Sequence, residues 1–230
     1  MGLWSAIKET ASALWDTACS VARTLGGAIG RGVEILGRTL GPVAERIAGW
    51  IGLAASVVDA VATALGIFRP DEDTRQMGDR AIQAAEKGIR ADDFDDFDAY
   101  LEALRGFELN PAHSRASSDE AKLLAGMSLA GWGLERRFEL PDGHGVVLWP
   151  VAIAAADYLT PERTRRLLEA GLDPRDLADY LAGRLGLQRE RTVEEVLLSL
   201  DRKLDPGRDE AARHEALDTA RAKVRETLEA

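Results

Sequence analysis

The sequence predicts an all-α protein with one small β-hairpin. Three observations carry that prediction. Apolar residues recur at the helical step without interruption through the first 68 residues. The remaining chain divides into stretches of helical period bounded by capping residues. One short stretch, around Asp142-Gly143, carries the turn signal of a hairpin instead.

The N-terminal stripe is the most informative feature. Leu3, Ile7, Ala11, Leu14, Ala18, Ala22, Leu25, Ile29, Val33, Leu36, Leu40, Val43, Ile47, Trp50, Ala54, Val58, Val61, Leu65 and Phe68 are all apolar. Eighteen steps cover 65 residues, a mean of 3.6, the α-helical period, whereas a two-stranded coiled coil holds its stripe at about 3.5. A long stripe at 3.6 stays on one side of a straight helix. It suits a flat or very large partner, such as a membrane surface or a neighbouring helix in a wide assembly.

The elements follow in order. A helix is expected from about Leu3 to Leu40, bent near Gly26-Gly27, and a second from Val43 to about Phe68. Gly41-Pro42 is the strongest break between them, because proline lacks the backbone donor and disfavours helix at the residue before it. The two form either a hairpin or one kinked rod. Arg69-Pro70-Asp71-Glu72-Asp73 ends the apolar region. The expected organisation is therefore an amphipathic arm at 1–68, a linker at 69–73 and an acidic helical domain at 74–230.

In that domain, Thr74–Arg90 and Asp92–Gly106 read as a helix pair. Phe94, Phe97, Leu101 and Leu104 form the apolar face of the second helix, and acids crowd its first turns. Asn110–Ser118 reads as a polar loop, with Ser117 or Ser118 capping a helix to about Arg137. Phe138–Leu140 and Val146–Trp149 are the expected strands of the hairpin. Helices follow at about Val151–Tyr158 and Pro161–Ala170. Asp173-Pro174 opens another to about Leu185. The last two span Thr192–Leu204 and about Arg208–Ala230.

Charge divides the chain in the same place. The net charge is −10, yet residues 1–68 hold five basic and five acidic side chains. Ten of the 22 glycines and three of the five tryptophans also lie there, so the two regions are built for different surroundings. An acidic chain with no basic tract is a poor ligand for nucleic acid, whose phosphates dominate such affinities. The single Cys19 excludes an intrachain disulfide framework and a thiolate zinc site. No cleavable signal peptide is visible, since Lys8, Glu9 and Asp16 interrupt any hydrophobic core near the start. Ala6 stands where a myristoylation signal carries Ser or Thr. The expectation is synthesis in the cytoplasm, membrane association when active, and export, if any, by a dedicated system.

Ile47–Phe68 is a 22-residue stretch with one charge, Asp59. As a helix it would be about 33 Å long, near the roughly 30 Å hydrocarbon thickness of a bilayer. Its nine Leu, Ile, Val and Phe residues favour insertion by roughly 4 kcal/mol. A central Asp59 returns about 3 kcal/mol. The balance describes a conditionally inserting segment, with Asp59 as the controlling residue; the competing reading is a helix buried in a soluble protein. Small residues also recur every four positions at Ala48, Gly52, Ser56, Ala60 and Ala64. Such a ridge permits close helix–helix packing, and Gly26-xxx-Gly30 and Gly37-xxx-Gly41 repeat the theme. Alanine-rich composition is the competing account.

The opening Gly2-Leu3-Trp4-Ser5-Ala6-Ile7-Lys8 resembles the start of dermaseptin-type membrane-active peptides. Over about 25 residues the resemblance implies an amphipathic helix lying on a membrane, with Leu3, Trp4, Ile7, Leu14 and Trp15 as its apolar face. Those peptides are strongly basic, whereas Met1–Leu40 is nearly neutral, so attraction to anionic lipid does not carry over.

Other motifs read as structural. Asp92-Asp93-Phe94-Asp95-Asp96-Phe97-Asp98 lacks the glycine and spacing of a calcium loop and fits a helix N-terminus. His113, His144 and His214 show no metal-ligand spacing, and His144 sits in a turn. Cys19 lies near the apolar face and reads as packed. Leu167–Leu185 has the outline of a helix-turn-helix, but Arg175 and Arg184 are offset by Asp176 and Asp179, so an ordinary αα-corner is expected. There is no phosphate loop, nucleophile elbow or paired-carboxylate signature. No enzyme activity, cofactor or metal is expected.

The leading expectation is a membrane-active, non-enzymatic helical protein of the bacterial pore-forming toxin or effector type. It would insert or oligomerise through its N-terminal arm. The expected membrane contacts are Leu3, Trp4, Ile7, Leu14, Trp15, Leu25, Ile29, Val33, Leu36, Ile47, Trp50, Val58, Val61, Leu65 and Phe68. Gly52, Ser56, Ala60 and Ala64 would pack helix on helix. The expected partners are a lipid membrane, further copies of the chain and a protein chaperone or carrier. The alternative is a structural or adaptor protein whose N-terminal helices pack into a larger protein assembly.

Overall fold

The computed structural model describes residues 3–42 and 49–229, with side chains described within 13–42 and 49–228. Among these residues there are twelve α-helices and no strand. They are α1 (Leu3–Leu25), α2 (Gly27–Leu40), α3 (Trp50–Ala64), α4 (Thr74–Glu86), α5 (Phe97–Gly106), α6 (Pro111–Ala116), α7 (Asp119–Arg137), α8 (Leu148–Ala154), α9 (Pro161–Glu169), α10 (Pro174–Leu181), α11 (Leu187–Leu204) and α12 (Glu210–Glu229).

The fold is organised around α7. Its residues Leu123–Glu135 are buried without a break, the signature of a helix surrounded by others. Helices α1, α2, α3, α4, α5 and α8 all pack on it. The closest approach is to α4, where Gly78 and Gly126 face each other. A Cβ on Gly78 would collide with the Lys122 carbonyl oxygen, and one on Gly126 with the Thr74 carbonyl oxygen. Two backbones in contact leave no room for side chains between them.

The expected long first helix is instead a hairpin. Helix α1 ends at Leu25, Gly26 adopts φ 65° and Gly27 φ 49°, and α2 starts at once. Both values lie in the left-handed region that glycine tolerates at least cost. The chain therefore reverses where only a bend was expected. Gly30 lies against the Ala22 carbonyl, and Gly37 against Ala18 and Trp15. The small residues at the start of the chain thus let α1 and α2 meet.

The β-hairpin is not formed, which corrects the expectation for Phe138–Trp149. Residues 142–147 are turns, and α8 begins at Leu148. The cause is a side chain from α7: the Glu135 carboxylate accepts the Gly145 N–H at 2.9 Å. Leu140 N–H donates to the Glu135 carbonyl and His144 N–H to the Pro141 carbonyl. With its backbone groups met locally, the segment gains nothing from a strand ladder. Val146 and Trp149 enter the core, and Trp149 Nε1–H donates to the Met127 carbonyl at 2.7 Å.

Two other boundaries shift because of caps. Asp96 accepts from Ala99 N–H at 2.7 Å and starts α5 at Phe97, later than expected. Asn110 caps α6 inside the expected loop. Asp173 accepts from Arg175 N–H and opens α10 where the sequence expects it.

Candidate functional site

Where its side chains are described, the N-terminal stripe lies inside the protein. Leu14, Leu25, Ile29, Val33, Leu36, Val58, Val61, Leu65 and Phe68 are buried in a core continuous with that of residues 74–224. Trp15 and Trp50 are half-buried, and the Arg38 guanidinium stands over the Trp15 ring at 5.5 Å. Leu3, Trp4, Ile7 and Ile47 lie outside the residues whose side chains are described. Among the described residues, no helix is long and apolar enough to cross a membrane.

Polar contacts fasten this region to the remainder. Ser128 Oγ–H donates to the Ile29 carbonyl at 2.6 Å, where Gly32 brings α2 against α7. Arg31 pairs with Asp142 at 3.1 Å, an exposed contact worth little by itself. Asp59, half-buried on α3, accepts from Thr74 N–H at 2.7 Å and also from the Thr74 hydroxyl. It lies beside Asp73, the N-cap of α4, which accepts from Gln76 N–H. Asp59 therefore ties α3 to the first turn of α4.

The small-residue ridge faces outward. Gly52, Ser56, Ala60 and Ala64 are exposed along α3, and among the described residues no atom beyond Gly52's own stretch of helix lies within 4 Å of where its Cβ would sit. Leu53 beside them is 40% exposed. The ridge borders a shallow groove of about 670 Å³ whose other side is the Pro70–Asp73 corner and Arg75. One helix thus presents two faces: Ala54, Val58, Val61 and Ala62 inward, and the small residues outward.

The acidic run serves local structure. Asp93 accepts from Arg90 N–H at 2.9 Å, Asp96 caps α5, and Asp92 lies against Gly27 at the start of α2. His144 reaches Asp173 at 2.8 Å, linking its turn to the cap of α10. Three buried polar groups had no sequence signal, because their partners are remote. Glu72 binds Arg105 at 2.6 Å, Asp201 binds Arg163, and Glu135 binds the 138–147 turns. Burial pushes the Glu135 carboxyl up to about 7; N–H groups of Gly145 and Gly143 and nearby His144 pull the other way, while Asp142 adds to the rise.

No known protein family, curated protein or solved structure matches this chain. The functional reading therefore rests on these surfaces.

Proposed function

We propose that the chain is a non-enzymatic helical protein that works by self-association through the outward face of α3. The observation that supports this is the open ridge of Gly52, Ser56, Ala60 and Ala64 beside exposed Leu53. Small side chains let two helix backbones approach closely, and the flanking leucine adds apolar area. A patch on one helix can meet its own copy across a two-fold axis, the commonest symmetry of soluble oligomers. The buried stripe then acts as the scaffold that holds α3 in place.

The test is disulfide trapping in a Cys19→Ser background. Ser56→Cys places a thiol on the ridge and Ser20→Cys places one on the exposed side of α1. A two-fold contact at α3 yields covalent dimers from Ser56→Cys under mild oxidation and few from Ser20→Cys. Equal yields from both would overturn the reading.

A second reading draws on the stripe itself. Leu14, Leu25, Ile29, Val33 and Leu36 gather on one side of the α1–α2 hairpin. Swung away from α7, that hairpin would be an amphipathic pair able to lie in a lipid surface, as a membrane-active toxin or effector requires. Mixing the full chain with phosphatidylcholine liposomes separates the readings. Sedimentation with the lipid favours insertion, and retention in the supernatant favours self-association alone.

A further inference from the structure

Residues 138–147 brace α2 against α7, and one buried carboxylate holds the brace. On the α2 side, Gly143 lies against Ile35 and Asp142 pairs with Arg31. Val146 sits between Gly32 of α2 and Gly131 of α7. Gly145 is pressed between the Gly131 carbonyl and the Glu135 side chain. The segment is also strained. Among the described residues, Glu139 is the one non-glycine residue at positive φ, at 52°. Such a conformation persists only where surrounding contacts impose it.

Glu135 supplies that contact without a paired counter-charge. It is 6% exposed, and it accepts Gly145 N–H at 2.9 Å, with Gly143 N–H alongside. Among the described residues no Lys or Arg pairs with it. The two cations that follow it on α7 turn elsewhere: Arg136 stands over the Trp132 ring and Arg137 lies against Gly66. From α2, Arg31 faces Asp142, and from the cap of α10, Asp173 faces His144. Helix α8 carries no titratable side chain, and Asp59 of α3 is engaged by Thr74. Burial and the Asp142 charge therefore work against an ionised Glu135, with two neutral N–H groups and His144 in its favour. A buried charge without a partner is costly, and a proton removes it. Lifting the segment would admit water and make ionisation easy. A proton thus binds the closed segment more tightly than the open one, and by linkage it favours closure.

We propose that Glu135 is a proton-operated latch on residues 142–147: with its proton the turns stay closed over α2 and α7, and without it they lift. Burial pushes the carboxyl up to about 7, which places the release near neutrality. Lifting would surrender the Arg31–Asp142 pair and the Gly143 and Val146 contacts, and so loosen the hold on α2. The latch is independent of the α3 ridge.

The test is hydrogen exchange of the full chain at a series of pH values from 5 to 8. The amides to follow are Gly145, Leu148 and Trp149, whose N–H groups are bonded within or beside these turns. Each rate is divided by that of the same residue in an unstructured peptide at the same pH, which gives an opening constant. The opening constants should rise at least about tenfold from pH 5 to 8, levelling off above about pH 7. Glu135→Gln, which cannot ionise, should make them independent of pH. His144→Gln removes the other titratable group facing Glu135 and should leave the rise in place. If Glu135→Gln fails to fold, the carboxyl carbon shift of Glu135 in the unaltered chain decides: titration with the midpoint of the exchange curve supports the latch, and titration near 4.5 overturns it. Opening constants that do not change with pH overturn it, as does a rise that survives Glu135→Gln or vanishes in His144→Gln. Protection of these amides equal to that of the slowest in the chain also overturns it, because the turns would then open only with the whole fold.

Discussion

Asp59→Leu should cost the protein about 3 kcal/mol of stability. Asp59 interrupts the most apolar segment of the sequence, and an insertion argument would have leucine improve that segment. The structure gives the carboxylate different work. Its Oδ1 accepts two hydrogen bonds from Thr74, from N–H at 2.7 Å and from the hydroxyl, and Thr74 is fully buried. Leucine would leave two buried donors unmet, at about 1–3 kcal/mol each, with some relief from rotation of the hydroxyl. That is a large part of a total stability of roughly 5–15 kcal/mol. Asp59→Asn keeps an acceptor oxygen and should cost about 1 kcal/mol. Thr74→Val should then be less damaging in the Asp59→Leu background than in the parent, by about 1–2 kcal/mol, because one donor is already unpaired. Urea unfolding followed by circular dichroism measures the parent and all four variants. An Asp59→Leu midpoint equal to the parent's, or fully additive effects in the double variant, would refute this reasoning.

Leu36→Ala removes a fully buried side chain from the α2 stripe and should cost about 2–5 kcal/mol. Leu53→Ala should stay within about 0.5 kcal/mol in the monomer; thermal unfolding at low concentration compares the two. Gly78→Ala should destabilise severely, because its Cβ meets the Lys122 carbonyl. Gly52→Ala should gain about 0.5–1 kcal/mol, since its site is open and helical; calorimetric melting of both variants is the check. Burial pushes the Glu135 carboxyl up to about 7 in the folded chain, from an ordinary value of 4.5. Between those values the folded state binds the extra proton, so this contribution is full below about pH 4.5 and is lost as pH rises through 7. It amounts to about 3 kcal/mol at most. Glu135→Gln, which cannot ionise, should flatten the urea midpoint between pH 5 and 8 and raise it above the parent's at pH 8. An unchanged pH slope would contradict the assignment.

Much of the helical outline was legible because it is local. Ser118 and Asp173-Pro174 announce helix starts that caps then make. The stripe was equally legible, and its period located the side that would be covered. What covers it was not legible, since lipid, a partner and α7 impose the same apolar pattern. The reversal at Gly26-Gly27 is legible only as a bend, because a glycine pair permits a turn without specifying its angle. The hairpin expected over Phe138–Trp149 does not form for a related reason. Asp142-Gly143 does turn the chain, with Gly143 at φ 81°, but Glu135 on α7 satisfies the Gly145 N–H that a strand ladder would need. The ridge at Gly52, Ser56 and Ala60 was visible as a spacing, and only the packing of α3 gives it an outward direction. Arg163 and Asp201 carry no sequence signal, being 38 positions apart and meeting only once α9 and α11 are packed.

The central claim is that α3 turns its apolar face inward and its small-residue face toward another copy. Sedimentation velocity of the parent and of Gly52→Leu with Ala60→Leu, across a concentration series, tests it most directly. Both substitutions add apolar surface without touching the core, so general hydrophobic association would strengthen. The account predicts a parent that passes from monomer to dimer with rising concentration and a double variant that remains monomeric, with an unchanged helical spectrum. A parent that stays monomeric at every concentration, or a variant that dimerises as the parent does, would contradict it.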